Sequence, residues 1–275
     1  GESGVFGTQI PFSSKTGRIK DVFVMDMDGS NIRQLTDEKS LAMSAAWSPS
    51  GKKLLYTSYR NRIPDLFEID LQNRVVRQIT RTSALEVGGR YTRDGSGIVT
   101  SISDGRDSDL VYMSLEGAIG KRLTRSDGAI DVSPALSPDG SQIAFCSDRA
   151  GGPQIYVMNS DGSAPHRISF VSSNYCTSPA WAPKGGKLAF VCRAESGFHL
   201  FTAGIDGSNP LQLTSAGSNE DPDWSPDGRY LVFATTFWRR GIPSIALIRS
   251  DGSGLHQLSN GRGGDFDPAW GPLLW

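Results

Sequence analysis

The strongest constraint on this chain is a phrase that returns at a nearly fixed interval. "DMDGSNIRQLT", Asp26 to Thr36, comes back as "GIDGSNPLQLT", Gly204 to Thr214, with looser copies between and beyond. Anchored at Gly29, Asn73, Gly117, Gly162, Gly207 and Gly252, the copies are separated by 44, 44, 45, 45 and 45 residues. A second phrase keeps the same step: "AAWSPSG" from Ala45, "GRYTRDG" from Gly89, "PALSPDG" from Pro134, "PAWAPKG" from Pro179, "PDWSPDG" from Pro222 and a last "PAWGP" from Pro268. A fixed period of this size marks one supersecondary unit per repeat.

Each unit reads as four short strands. Short alternating runs such as "SQIAFCS" (Ser141 to Ser147) and "PQIYVMN" (Pro153 to Asn159) recur between turn residues, and 32 Gly with 15 Pro leave little room for helix. The Ser-Pro-Asp-Gly segments place Pro, Asp and Gly as a tight turn requires, and the Asp-Gly-Ser segments read as a second hairpin. Four antiparallel strands per repeat is the size of a propeller blade. Ile10, Phe12 and Ser14 lie 44 residues before Leu54, Tyr56 and Ser58, so the chain begins at the second strand of a blade. The position 44 before Trp47 is Ser3, which cannot replace the aromatic, whereas Trp270 ends the chain as a first strand with nothing after it. The expected fold is therefore an all-β, six-bladed propeller. Asp267 to Pro272 is expected to supply the innermost strand of the blade begun by Thr8 to Lys15, closing the ring and protecting strand edges.

On these repeats, on the opening "GESGVFGTQI", on "SDRAGGPQIYVMNSDGSAPHRIS" (residues 147 to 169) and on "FDPAWGPLLW", the chain resembles the TolB-type propeller family over nearly its whole length. Residues 1–275 are expected to form one propeller domain without the family's smaller N-terminal domain, either as an excised propeller or as a protein that has only this part. The resemblance implies a periplasmic, non-catalytic interaction module without a cofactor. It also implies a protein partner, the peptidoglycan-associated lipoprotein of the Tol–Pal system or a disordered Tol or toxin peptide, and a role in outer-membrane integrity. In "RTSALEVGGRY", Leu85 and Glu86 stand where a polar, His-containing loop is associated with lipoprotein binding. The fold also resembles certain polysaccharide lyases and the propeller that gates prolyl-oligopeptidase-type peptidases, which makes an enzyme or an enzyme's gate the alternative.

Twenty-eight Lys and Arg against 29 Asp and Glu give a net charge of −1, so no global field favours nucleic acid or an anionic membrane. No apolar run is long enough for a membrane-spanning helix, and a monomer is expected. Cys146, Cys176 and Cys192 lack metal or redox spacing. Cys146 and Cys192 fall one repeat position apart on the second strands of neighbouring blades, facing opposite ways, so buried free thiols are expected. No nucleophile elbow, zinc motif or phosphate loop is present. His166 and His256 fall on outer strands of different blades and His199 at the start of a third strand, too dispersed for a metal site. Trp47, Trp181, Trp224 and Trp270 share one repeat position with Tyr91 and Leu136, which points to packing.

Function is expected where repeats differ. The connections from fourth strand to next first strand, and from second to third, open on one face around the channel. They contribute Glu86, Asp131, Asn174, Tyr175, Asn219, Glu220, Asp221 and Asp265 near the rim, and Phe237, Trp238, Arg239 and Arg240 in "TFWRRGIP". Trp and Arg are enriched among interface hot spots, so these twelve residues form the candidate partner-binding set. Lys52 and Arg229 lie in turns of the opposite face.

Overall fold

The computed structural model describes residues 5–82, 84–125 and 128–273. The first four residues, including Ser3 and the start of the "GESGVFGTQI" segment, lie outside them, as do the last two.

Alternating apolar residues and regular turns produce six four-stranded antiparallel sheets, five of them running outward in chain order from an inner strand. Blade 2 consists of Ala42–Trp47, Lys53–Ser58, Asp65–Asp70 and Val76–Gln78. Blades 3 to 6 repeat it, with inner strands Leu85–Tyr91, Asp131–Leu136, Cys176–Trp181 and Asn219–Trp224. Blade 1 takes Gln9–Thr16, Ile19–Asp26 and Arg33–Gln34 from the start of the chain and its inner strand from the end. That strand begins two residues earlier than expected: Asp265–Phe266 pairs with Ser14 and Ser13. Beyond a bulge, Ala269 N–H donates to Pro11 O at 3.0 Å and Gly271 N–H to Gln9 O at 2.8 Å. The expected segment thus also pairs, and the ring closes through main-chain bonds.

Every inner strand bulges at one residue held at positive φ: Ser44, Gly88, Ser133, Ser178, Asp221 and Asp267, between 51° and 70°. The extra residue bends the strand around the channel.

The repeated Gln-Leu-Thr phrase also has a mechanical explanation. The backbone N–H of Val22, Leu66, Leu110, Ile155, Leu200 and Ile245 donates to the hydroxyl of Thr36, Thr80, Thr124, Ser169, Thr214 and Ser259, at 2.9 to 3.0 Å each time. The hairpin glycine, whether in Asp-Gly-Ser or in Glu116-Gly117-Ala118, is needed twice over. At Gly29, Gly117, Gly162 and Gly207 φ is positive, and a Cβ would come within 3.0 Å of a carbonyl oxygen of the preceding blade. The pair Gly29 and Leu258 is that contact across the ring's seam.

The tryptophans pack between blades, as their periodicity requires. The indole N–H of Trp181 donates to Ala135 O at 2.9 Å, that of Trp224 to Ala180 O at 3.2 Å, and that of Trp270 to Thr8 Oγ1 at 2.8 Å. The cysteine expectation needs correcting. Cys176 and Cys192 are bonded, because they sit directly opposite each other on the first and second strands of blade 5, Cα atoms 4.1 Å apart. Cys146 remains a buried thiol, pushed up to about 11 by burial.

Candidate functional site: the rim and the channel

Two residues before each bulge, the inner strands carry Ala42, Glu86, Asp131, Cys176, Asn219 and Asp265. Four belong to the candidate set, and their expected surface placement is corrected: Glu86, Asp131, Asn219 and Asp265 are all at most 1% exposed. They turn inward because each braces the loop that leads into its strand or the loop beside it. Both carboxylate oxygens of Asp131 accept from Arg149 Nη2, at 3.0 and 2.9 Å. Asp265 accepts from Ser259 Oγ and from Gly261 N–H. Asn219 accepts from Thr235 Oγ1 at 2.7 Å and donates to Ala216 O and Phe198 O. Glu86 accepts from Thr82 Oγ1, while its Oε2 is buried without a donor. Burial raises the Glu86 carboxyl above the usual range, opposed by Thr82 and reinforced by Asp65. In blade 5 the same place is Cys176, and the brace is the disulfide.

Of the remaining candidates, Asp221 lines the channel below the rim, and the others stand in the rim loops. Asn174, Glu220 and Arg240 are exposed. Tyr175 is half-buried, its ring edge-on to Phe198 at 5.7 Å and under the Arg193 guanidinium. Phe237 and Trp238 form an edge-to-face pair, 5.2 Å between centroids, and remain 49% and 38% exposed. Arg239 is committed to structure: its guanidinium donates to the carbonyls of Asn260, Gly261 and Arg262 and so ties two rim loops together.

Below the rim lies a cavity of about 780 Å³ bounded by all six inner strands. Leu85, Val87, Ile130 and Val132 make one wall apolar. The "Pro-Ala-Trp" phrase loses its alanine twice, to Arg90 on the same strand as Leu85 and Val87 and to Asp223 in blade 6. Asp221 and Asp267 add two carboxyls at bulge positions that elsewhere are Ser or Gly. Asp223 is held by the backbone N–H of Trp224 at 2.9 Å and of Trp270 at 2.6 Å. Burial works against the charge of Arg90, while Asp223, Asp221 and Asp267 support it. Arg90, Asp223 and Asp267 were absent from the candidate set, although the broken phrase marks two of them.

A serine and histidine of blade 5 line up with an asparagine of blade 6: Ser196 Oγ lies 2.7 Å from His199 Nε2, and Asn219 Nδ2 3.2 Å from His199 Nδ1. The two carbonyls that Asn219 bonds require its NH₂ on that side, so Nδ1 accepts and Nε2 carries the proton toward Ser196. A histidine donating to the serine cannot serve as its base. Among the described residues, no group of three or more His, Cys, Asp or Glu is placed to hold a metal ion, and no helix is long and apolar enough to cross a membrane.

The family model described as the TolB beta propeller domain matches residues 1–274. The chain belongs to the TolB β-propeller family. The TolB of Acinetobacter baumannii superposes with a TM-score of 0.88 at 25% identity, over 98% of this chain and 68% of that one. The Tol-Pal system protein TolB of Jannaschia sp. (strain CCS1) is 38% identical over 60 residues, 20% of this chain and 14% of the relative's length. The fold extends to enzymes: an oligogalacturonate lyase from Vibrio parahaemolyticus superposes with a TM-score of 0.63 at 16% identity, over 93% of this chain and 75% of that one. At that identity the likeness is one of fold.

Proposed function

We propose that this TolB-type propeller is a non-catalytic, monomeric protein-interaction module of the bacterial periplasm. Its partner would be the peptidoglycan-associated lipoprotein or a disordered Tol or toxin peptide, and its role the support of outer-membrane integrity. Family membership over the chain supports the system. The disulfide in blade 5 accords with an oxidising compartment. The observation that carries the binding mode is the exposed Phe237–Trp238 pair beside an open channel, because monomeric surfaces seldom leave paired large aromatics uncovered without use. A stable partner covers roughly 800 Å² per side, so several rim loops would contribute.

Trp238→Ala should weaken binding of the purified lipoprotein by about 2 kcal/mol in calorimetric titration, with little change in thermal midpoint. Arg239→Ala should lower the midpoint as well, since its guanidinium ties the loops. Charge reversal at Lys52 or Arg229, in turns of the opposite face, should change neither. Equal losses from both faces would mean that the working face is wrongly assigned. For the alternative enzymatic reading, chelator-sensitive cleavage of a pectic oligosaccharide or hydrolysis of a proline-containing peptide would be the contrary result; neither is expected.

A further inference from the structure

Asp221 and Asp267 occupy the same place in the repeat, the left-handed residue of an inner strand, which in the other blades is Ser44, Gly88, Ser133 or Ser178. They stand on adjacent inner strands at the seam where the chain's last strand meets blade 6. Nearby, Asp223 already joins the two sides by accepting the N–H of Trp270. Ser178 Oγ donates to Asp221 Oδ1 at 2.9 Å. That contact joins the bulge residues of neighbouring inner strands, and on the other side of Asp221 the equivalent bulge residue is Asp267, whose Oδ2 is buried without any donor. Two ionised carboxylates offer only acceptors, so a hydrogen bond between them needs a proton.

We propose that Asp221 and Asp267 share one proton across the seam, and that this makes both the closure of the ring and the charge of the channel responsive to pH. The groups around Asp221 accord with this. Its own strand supplies Glu220 and Asp223, the closing strand Asp267, and blade 5 only the Ser178 hydroxyl. Arg90 across the channel is shared among three carboxylates and engages Asp223 before Asp221 and Asp267. Burial, then the charge of Asp267, raises the Asp221 carboxyl to about 7, against the pull of Ser178. Loss of the proton to the channel removes the carboxyl–carboxylate bond and leaves two like charges facing one another.

The sign of the effect follows from linkage. Between the ordinary aspartate value of 3.8 and about 7 the folded protein holds a proton that the unfolded chain has lost. The stability this proton contributes is complete below the lower value and disappears as pH rises through the upper one. Nothing in this depends on the partner's identity, and the experiment needs no partner, so its failure would leave the proposed interaction untouched.

The test is a pH titration of the full chain labelled with ¹³C at the aspartate carboxyls, with thermal midpoints measured over the same range. One resonance, missing in Asp221→Asn, should titrate near neutrality. In Asp267→Asn its midpoint should fall by at least one pH unit, and the decline of thermal midpoint between pH 5 and 8 should flatten. If Asp267→Asn folds poorly, Asp267→Ser supplies the residue that Ser44 and Ser178 already carry at this place and should behave alike. An Asp221 resonance with an ordinary aspartate midpoint, or one unmoved by either substitution, overturns the proposal. So does a near-neutral titration abolished by millimolar calcium chloride, which would make the pair a cation site.

Discussion

Blades 3 and 4 carry an acid at the same point of the inner strand, Glu86 and Asp131, and treat it differently. Asp131 lies opposite Ser147, and two residues further along Arg149 returns to grip its carboxylate while also bonding Ser147 Oγ. Glu86 lies opposite Ile102, and the residue two further along is Asp104. One brace is closed and the other lacks a donor for half of its carboxylate. Buried acids at equivalent positions therefore do not contribute equally: what surrounds them decides whether they fasten a loop or burden it.

The largest effect should come from opening the closed brace. Arg149→Met removes the cation that grips the buried Asp131 carboxylate, with an expected loss of about 3–5 kcal/mol in denaturant unfolding. A loss below about 1 kcal/mol would mean that the pair is screened and that the two blades differ little. Next comes blade 5, where the brace is covalent. Cys176→Ser with Cys192→Ser opens a loop of 16 residues and should cost roughly 3 kcal/mol by chain entropy, with a matching fall in thermal midpoint. The smallest effect should come from the incomplete brace. Glu86→Gln keeps an acceptor for Thr82 and removes a carboxyl that burial disfavours, so stability should be unchanged or rise by about 1 kcal/mol. The direction can be checked by pH. Because burial raises the Glu86 carboxyl, the wild-type protein loses stability as pH rises through that group's titration, and the gain from glutamine should be larger at pH 8 than at pH 4.

The fold was legible because its framework recurs. Turn, hairpin glycine, latching threonine and interblade tryptophan each obey a local physical demand repeated in most or all blades, so period alone exposes them. The rim was read less well. Glu86, Asp131, Asn219 and Asp265 are expected near the rim because a loop sequence does not reveal which side chain turns back into the sheet. Cys176 and Cys192 escaped because their pairing lies within one blade, across the register of its first two strands, whereas repeat position relates Cys192 to Cys146 in the neighbour. Arg90 and Asp223 were visible as losses from "Pro-Ala-Trp", yet only the ring brings those two exceptions to a common cavity.

The close approach of Gly29, Gly117, Gly162 and Gly207 to the carbonyls of the blades before them acts as a set of spacers. Six wedges must add up to one full circle, and main chain resting on main chain fixes how wide each wedge is. A methyl group at Gly117 would therefore be felt beyond blades 2 and 3. The added angle has to be absorbed somewhere around the circle. The place with least covalent continuity to resist it is the joint between the first and last segments of the chain, so a one-carbon change in a hairpin would be read out as a gap at the opposite end of the sequence.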